Sequence, residues 1–145
     1  MERHAQALVE VKFAAHAPRR YSSDAAGHDC FAAEDVLLPV GIPTLVSCGF
    51  RIAIPPGYVG LMCSRSGLAL KSGVFVLNAP GIIDSDYRGV VKAILMNMGK
   101  DVYPVKEQER IAQLVVVPYN DMPLYFGTLQ GSTERGEGGF GSTGQ

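Results

Sequence analysis

Short runs rich in β-branched residues alternate along this chain with glycine, proline and Asx punctuation, and that alternation most restricts what the chain can fold into. The runs are Leu8-Val9-Glu10-Val11-Lys12, Thr44 to Ile54, Tyr58 to Cys63, Val74 to Leu77, Val90 to Asn97, Val102 to Val105 and Ala112 to Pro118. β-Branched side chains suit a pleated, half-buried surface, so each run reads as a strand. Turns predicted at Pro55-Pro56-Gly57, Gly81 to Gly89 and Met98-Gly99-Lys100-Asp101 bring neighbouring strands together. Regularly spaced short strands predict an all-β, jelly-roll-like sandwich or barrel. One segment departs from this pattern. Ser66 to Ser72 fits about two turns of helix, with Ser66 as its cap and Gly73 just past its end.

At 145 residues the chain has the size of one domain and can bury a real core without staples. Its net charge of −1 lacks the broad basic footprint of a duplex-binding protein, so no nucleic-acid partner is expected and any nucleotide contact must be local. Cys30, Cys48 and Cys63 are odd in number and form no C-x-x-C pair, which fits small buried residues in a reducing compartment better than disulfides or zinc. Met1-Glu2-Arg3-His4 leads into no apolar run of signal-peptide length, and no stretch is apolar enough to span a bilayer. The expectation is a soluble, cytoplasmic protein without a membrane partner.

Three stretches carry chemistry. The first is RGEGGFGSTG, Arg135 to Gly144. It satisfies G-x-G-x-x-G in letters, but that motif works only between a strand and the helix that receives the phosphates, and none follows; a P-loop would need a lysine before Ser142-Thr143. A disordered Gly/Ser tail is one reading. The other is a flap that orders over a nucleotide: Arg135 offers a fork for phosphate oxygens, Phe140 a face for a base, and Gly141, Ser142 and Thr143 donors that cradle an anion. The second stretch is Arg65-Ser66-Gly67, where a helix start would aim free backbone donors at an anion, or else make an ordinary turn. The third is NAPGIIDSDYRG, Asn78 to Gly89, apolar enough for a buried hairpin yet carrying Asp84, Asp86 and Arg88, which turn chemistry alone could also explain.

Five blocks in order, AAGHDCFAAED (25 to 35), SRSGLALKSGV (64 to 74), NAPGIIDSDYRG (78 to 89), ERIAQL (109 to 114) and RGEGGFGSTG (135 to 144), closely resemble the five motifs of the trimeric dUTP pyrophosphatases. The resemblance spans Ala25 to Gly144. It implies a jelly-roll subunit over residues 1–133, a flexible flap over 134–145, and a homotrimer whose active sites are each built from more than one chain. The implied activity is that of a dUTP nucleotidohydrolase, a hydrolase acting on acid anhydrides: Mg²⁺-dependent conversion of dUTP to dUMP and pyrophosphate. That reaction limits uracil in DNA and supplies dUMP for thymidylate synthesis.

The resemblance also distributes roles. Asp84 matches the residue that holds the attacking water, and as a carboxylate it can act as a general base. Asp29 matches the aspartate that meets Mg²⁺ through water, an arrangement suited to an ion that keeps its hydration. Main-chain groups around Gly81, Ile82 and Ile83, with the Asn78 amide, would bind uracil. Tyr87 would lie against the deoxyribose and Lys92 would line the same pocket. Arg65, Ser66, Gly67 and Gln113 match phosphate contacts; Phe140 would stack on uracil, with Arg135, Gly141, Ser142 and Thr143 in the flap around the γ-phosphate.

The chain departs from the family pattern at Ser64, where many relatives have proline, and at His28 and Cys30, which replace Tyr and Leu around Asp29. Two rival functions bear on these motifs. A dCTP deaminase shares the fold but would carry Ser-x-x-Arg after the arginine-serine block rather than Gly-Leu-Ala. A dUTPase-like regulatory protein would bind a protein partner through the same surface, as fold alone permits.

Overall fold

The computed structural model describes residues 5–144. Met1 to His4, where no signal segment is read, lie outside the described residues. Eleven strands, one short α-helix and one 3-10 turn (Ala14–His16) are present among the described residues. β2 (His28–Phe31), β11 (Arg110–Pro118), β6 (Tyr58–Cys63) and β8 (Gly81–Ile83) form a four-stranded sheet in that order. β4 (Thr44–Ser47), β9 (Lys92–Asn97) and β7 (Val74–Val76) form a second sheet. Two further pairs, β1 (Leu8–Val11) with β5 (Phe50–Ala53) and β3 (Val36–Leu38) with β10 (Tyr103–Val105), complete the all-β body. Every ladder between these strands is antiparallel, and one isolated bridge, Val40 to Asn97, is parallel.

The pairings are mostly between strands distant in sequence, and here the structure corrects the local turn reading. Val74–Val76 and Lys92–Asn97 do pair across the predicted Gly81 to Gly89 turn. The strands on either side of Pro55-Pro56-Gly57 lie in different sheets, and β10 pairs with β3 rather than with β9 across Met98 to Asp101. Thr44 to Ile54 is two strands, not one. Gly49 at φ 72° turns the chain between them, and a Cβ there would stand 2.6 Å from the His16 ring nitrogen. A side chain at this position would be strained twice over, once by the left-handed backbone and once by the clash.

Alternation supplies the core. β9 buries Ala93, Leu95 and Asn97, and turns Lys92, Ile94 and Met96 the other way. Phe50, Leu38, Leu95, Ile111 and Leu114 are fully buried with them. Asn97 is polar yet buried, and it is satisfied: its amide donates to the carbonyls of Leu38 (2.9 Å) and Asp101 (2.8 Å), while its oxygen accepts from Gly99 N–H (2.9 Å). It thereby ties β3 and the loop after β9 together. Cys30 and Cys48 are buried free thiols; a hydrogen bond with Cys48, reinforced by burial, pushes the Cys30 thiol well above its usual range. A thiol that stays protonated is inert, as expected for a core residue.

Candidate active site

The stretch after β7 folds back to make β8, whose register on β6 sets Gly81 opposite Met62, Ile82 opposite Leu61 and Ile83 opposite Gly60. Ile83 and Gly81 point inward and Ile82 outward. β8 is an edge strand, so the N–H and C=O groups on its outer side face away from the ladder. Beside it lies a concavity of about 400 Å³ whose wall includes Asn78, Gly81, Ile82, Ile83, Tyr87 and Lys92. Six residues singled out in the sequence thus share one hollow. Tyr87 is held there by its hydroxyl, which donates to the Val90 carbonyl (3.0 Å), and Arg88 closes the turn after β8 by donating to the carbonyls of Ser85 (2.7 Å) and Tyr87 (2.9 Å). The hairpin expected over Asn78 to Gly89 does not form, because β8 pairs with β6 while β9 lies in the other sheet.

Asp84 follows β8 directly and is exposed. Its carbonyl accepts from Tyr87 N–H (3.1 Å), while the residue lines the neighbouring concavity with Tyr58, Val59, Ser85, Asp86 and Tyr119. Ile82 is a wall shared by both hollows.

A second cluster forms at the other edge of the same sheet. β2 presents Asp29, and the Arg65 Nε donates to Asp29 Oδ1 (3.2 Å) while Arg110 pairs with Asp29 Oδ2 (3.3 Å). Arg65 also donates to the Arg110 carbonyl (3.2 Å). Gln113 donates through Nε2 to the Ser64 carbonyl (2.9 Å) and lies so close to Gly27 that any Cβ there would strike it. Helix α1 (Ser66–Ser72) begins with Arg65, not Ser66, in the cap position and ends at Gly73 in the left-handed conformation. Ser66 is already inside the first turn, so its hydroxyl makes no cap; Ser66 and Gly67 are exposed beside the arginine. Ser64, the departure from proline, accepts from Val76 N–H through its hydroxyl (2.9 Å), which anchors the loop to β7 by a hydrogen bond where a ring would have stiffened it.

Arg110 is not among the residues that the sequence singles out. The arginine in ERIAQL was legible as a motif letter, but its contact with Asp29 depends on β11 pairing with β2, a fact of tertiary structure.

The acceptors of this cluster define what cation it can hold. Both oxygens of Asp29 are engaged by guanidinium groups, and among the described residues no three His, Cys, Asp or Glu side chains converge on a metal position. That donor set fits an ion brought in with phosphate and touched through water, not a protein-caged one.

Beyond Pro118 the chain has neither helix nor strand among the described residues. Arg135, Gly141, Ser142 and Thr143 curl on themselves, with Arg135 Nε donating to the Gly138 carbonyl (2.8 Å), and surround a hollow that no body residue lines. Phe140 is fully exposed. The site residues therefore fall into three groups. The hollow beside β8 and the Asp29 cluster occupy opposite edges of a four-stranded sheet, ~14 Å apart at ordinary strand spacing, and the tail lines neither.

A family model for dUTPase matches residues 14–144. This chain belongs to the dUTPase family. The deoxyuridine 5'-triphosphate nucleotidohydrolase of Solibacter usitatus is 44% identical over 142 residues, covering 98% of this chain and 92% of the relative. Among solved structures, the dUTPase of Staphylococcus bacteriophage 80alpha with dUPNHPP aligns at a TM-score of 0.86 and 28% identity, over 97% of this chain and 99% of that one. A variant dUTPase of phage phi11 of S. aureus, whose structure concerns a structural Mg(II) ion, aligns at a TM-score of 0.78 and 26% identity, over 88% and 99%. The jelly-roll expectation stands, with one short α-helix in a body of strands.

Proposed function

We propose that this chain hydrolyses dUTP to dUMP and pyrophosphate, and that the observation carrying this is the hollow beside β8. Uracil presents acceptor, donor and acceptor along one edge. An edge strand presents the complementary alternation of main-chain groups, so Gly81, Ile82 and Ile83 act as a rigid template, and the Asn78 amide adds a side-chain partner. The hollow is walled by Met62, Val91 and Ile94, apolar groups against which a 5-methyl substituent would have to compete for space. Tyr87 lies against the sugar, and Lys92 contributes positive charge to the pocket.

Asp84 holds the water that attacks the α-phosphorus and takes its proton. The new bond forms from that water oxygen to phosphorus, and the bond to the bridging oxygen of pyrophosphate breaks. Arg65, Ser66, Gly67 and Gln113 bind the polyphosphate. Mg²⁺, when bound, would supply neutralisation of phosphate charge, and Asp29 is the residue that would hold it, through water. Residues 134–145 close as a flap: Phe140 stacks on the base, while Arg135, Gly141, Ser142 and Thr143 surround the terminal phosphate and exclude water.

A homotrimer with shared sites is part of the proposal. Its support is the separation of the three groups within one chain, together with exposed apolar residues Leu124, Phe126 and Leu129 on the segment after β11, which a neighbouring subunit would cover. No helix among the described residues is long and apolar enough to cross a membrane; we assign the enzyme to the cytoplasm, where nucleotide pools turn over. The test is pyrophosphate release from dUTP, dTTP, dCTP and UTP with Mg²⁺. Turnover far faster on dUTP is expected, and comparable turnover of dTTP would overturn the uracil template.

A further inference from the structure

Asp29 sits between two guanidiniums that differ in how they are held. Arg65 is fixed by the loop before α1 and by its bond to the Arg110 carbonyl. Arg110 is fixed by what it lies on: its guanidinium stands 4.9 Å from the centroid of the Tyr21 ring, and its Nη1 meets Asp29 Oδ2 at 3.3 Å. Tyr21 belongs to the loop before β2, Asp29 to β2 and Arg110 to the first residue of β11. The side chains of Arg65 and Asp29 are mostly shielded, at 25% and 17% exposure, whereas that of Arg110 is 44% exposed.

Formal charges give the three groups one positive charge in excess. Left alone, a mostly shielded carboxylate beside a single arginine would swing to bind it in both forks, and the arginine would turn away from phosphate. With Arg110 on its second oxygen, the carboxylate cannot do so. Arg65 then contacts it through Nε only, and its second contact runs through Nη1 to a carbonyl. The remaining nitrogen of the guanidinium, Nη2, takes part in neither bond.

We propose that Arg110, braced on Tyr21, is a positioning residue for polyphosphate: it holds Asp29 so that Arg65 keeps its outer donors turned toward an incoming phosphate. The inference rests on the Arg65 loop being the polyphosphate subsite. Arg110 itself does not need to touch substrate. Lysine would not replace it, because the role needs a planar cation that lies on a ring while donating sideways.

The test is calorimetric titration of the intact protein with inorganic triphosphate in chelator, without Mg²⁺, beside a titration with deoxyuridine. Arg110→Gln and Arg110→Lys should each weaken triphosphate binding about tenfold, a loss of one well-placed charged contact, with deoxyuridine affinity unchanged. Tyr21→Ser should weaken it about threefold, within the range of a cation–π contact, and Tyr21→Phe should restore it. In steady state the same variants should raise KM for dUTP more than they lower kcat. Wild-type-like triphosphate binding by Arg110→Gln would overturn the inference, as would full rescue by lysine. Parallel loss of deoxyuridine affinity would also overturn it by showing a general structural role. Should Arg110→Gln not fold, Tyr21→Ser against Tyr21→Phe decides the matter alone: equal affinities refute the brace. A wild-type protein that ignores triphosphate but hydrolyses dUTP would refute the subsite assignment itself.

Discussion

Deleting residues 134–145 separates folding from catalysis. The described part of this segment holds one large apolar side chain, Phe140, which is fully exposed, and its hydrogen bonds run within itself or to Thr133. Nothing it does in the chain buries apolar area against the β body. Its loss should therefore cost no more than a surface change, ~0.5 kcal/mol, or ~1–2 °C in Tm for a domain of this size. Catalysis should respond very differently. The proposed flap supplies a base-stacking contact worth ~1–3 kcal/mol and a charged phosphate contact worth ~1.5–3 kcal/mol; losing both should lower kcat/KM by ~10²–10⁴-fold. Scanning calorimetry without nucleotide, sedimentation, and pyrophosphate release measure the three quantities. Normal turnover by a truncated oligomer would refute the flap and leave a passive tail. A Tm lowered by more than ~5 °C, or dissociation, would instead make the segment a strap between subunits.

Other perturbations test the remaining assignments. Asp84→Asn keeps shape but removes the carboxylate proposed as the base, so kcat should fall by at least ~10²-fold with dUTP-analogue affinity largely kept; near-normal turnover would clear Asp84 of that role. Ser64→Ala leaves buried Val76 N–H without its acceptor, at ~1–2 kcal/mol, and should lower Tm by several degrees while raising KM through a looser Arg65; an unchanged KM would show the loop to be rigid without the hydroxyl. Burial, with the hydrogen bond and charge of Glu109, pushes the Tyr103 hydroxyl up to about 12 from its ordinary 10.0. The folded state then binds a proton that the unfolded chain releases, so this group's contribution to stability is intact below pH 10 and declines between pH 10 and about 12. Tyr103→Phe should flatten the decline of Tm across that window, and an identical slope in both proteins would refute the linkage.

The strand character of this chain was local information. β-Branched runs bounded by glycine and proline announce strands because the preference lies in each residue's own torsions and in alternate burial, as in Ala93, Leu95 and Asn97. The helix at Ser66–Ser72 and its stop at Gly73 were local in the same sense, and so were the motif blocks that disclose the family. Which strand pairs with which was not local. Tyr58–Cys63 pairs with Arg110–Pro118, with four other strands between them in sequence, because ladder partners are chosen by how two faces share one core and not by the turn between neighbours. β2 and β8 are not legible for the same reason: His28-Asp29-Cys30-Phe31 is short and mixed, and Gly81-Ile82-Ile83 reads as the start of a turn until a partner edge supplies its hydrogen bonds. The site follows this division. Asn78 to Lys92 could be read as one pocket from a single stretch of chain, whereas the hold of Arg110 on Asp29 exists only because β11 lies beside β2 and brings residues 81 positions apart within 3.3 Å.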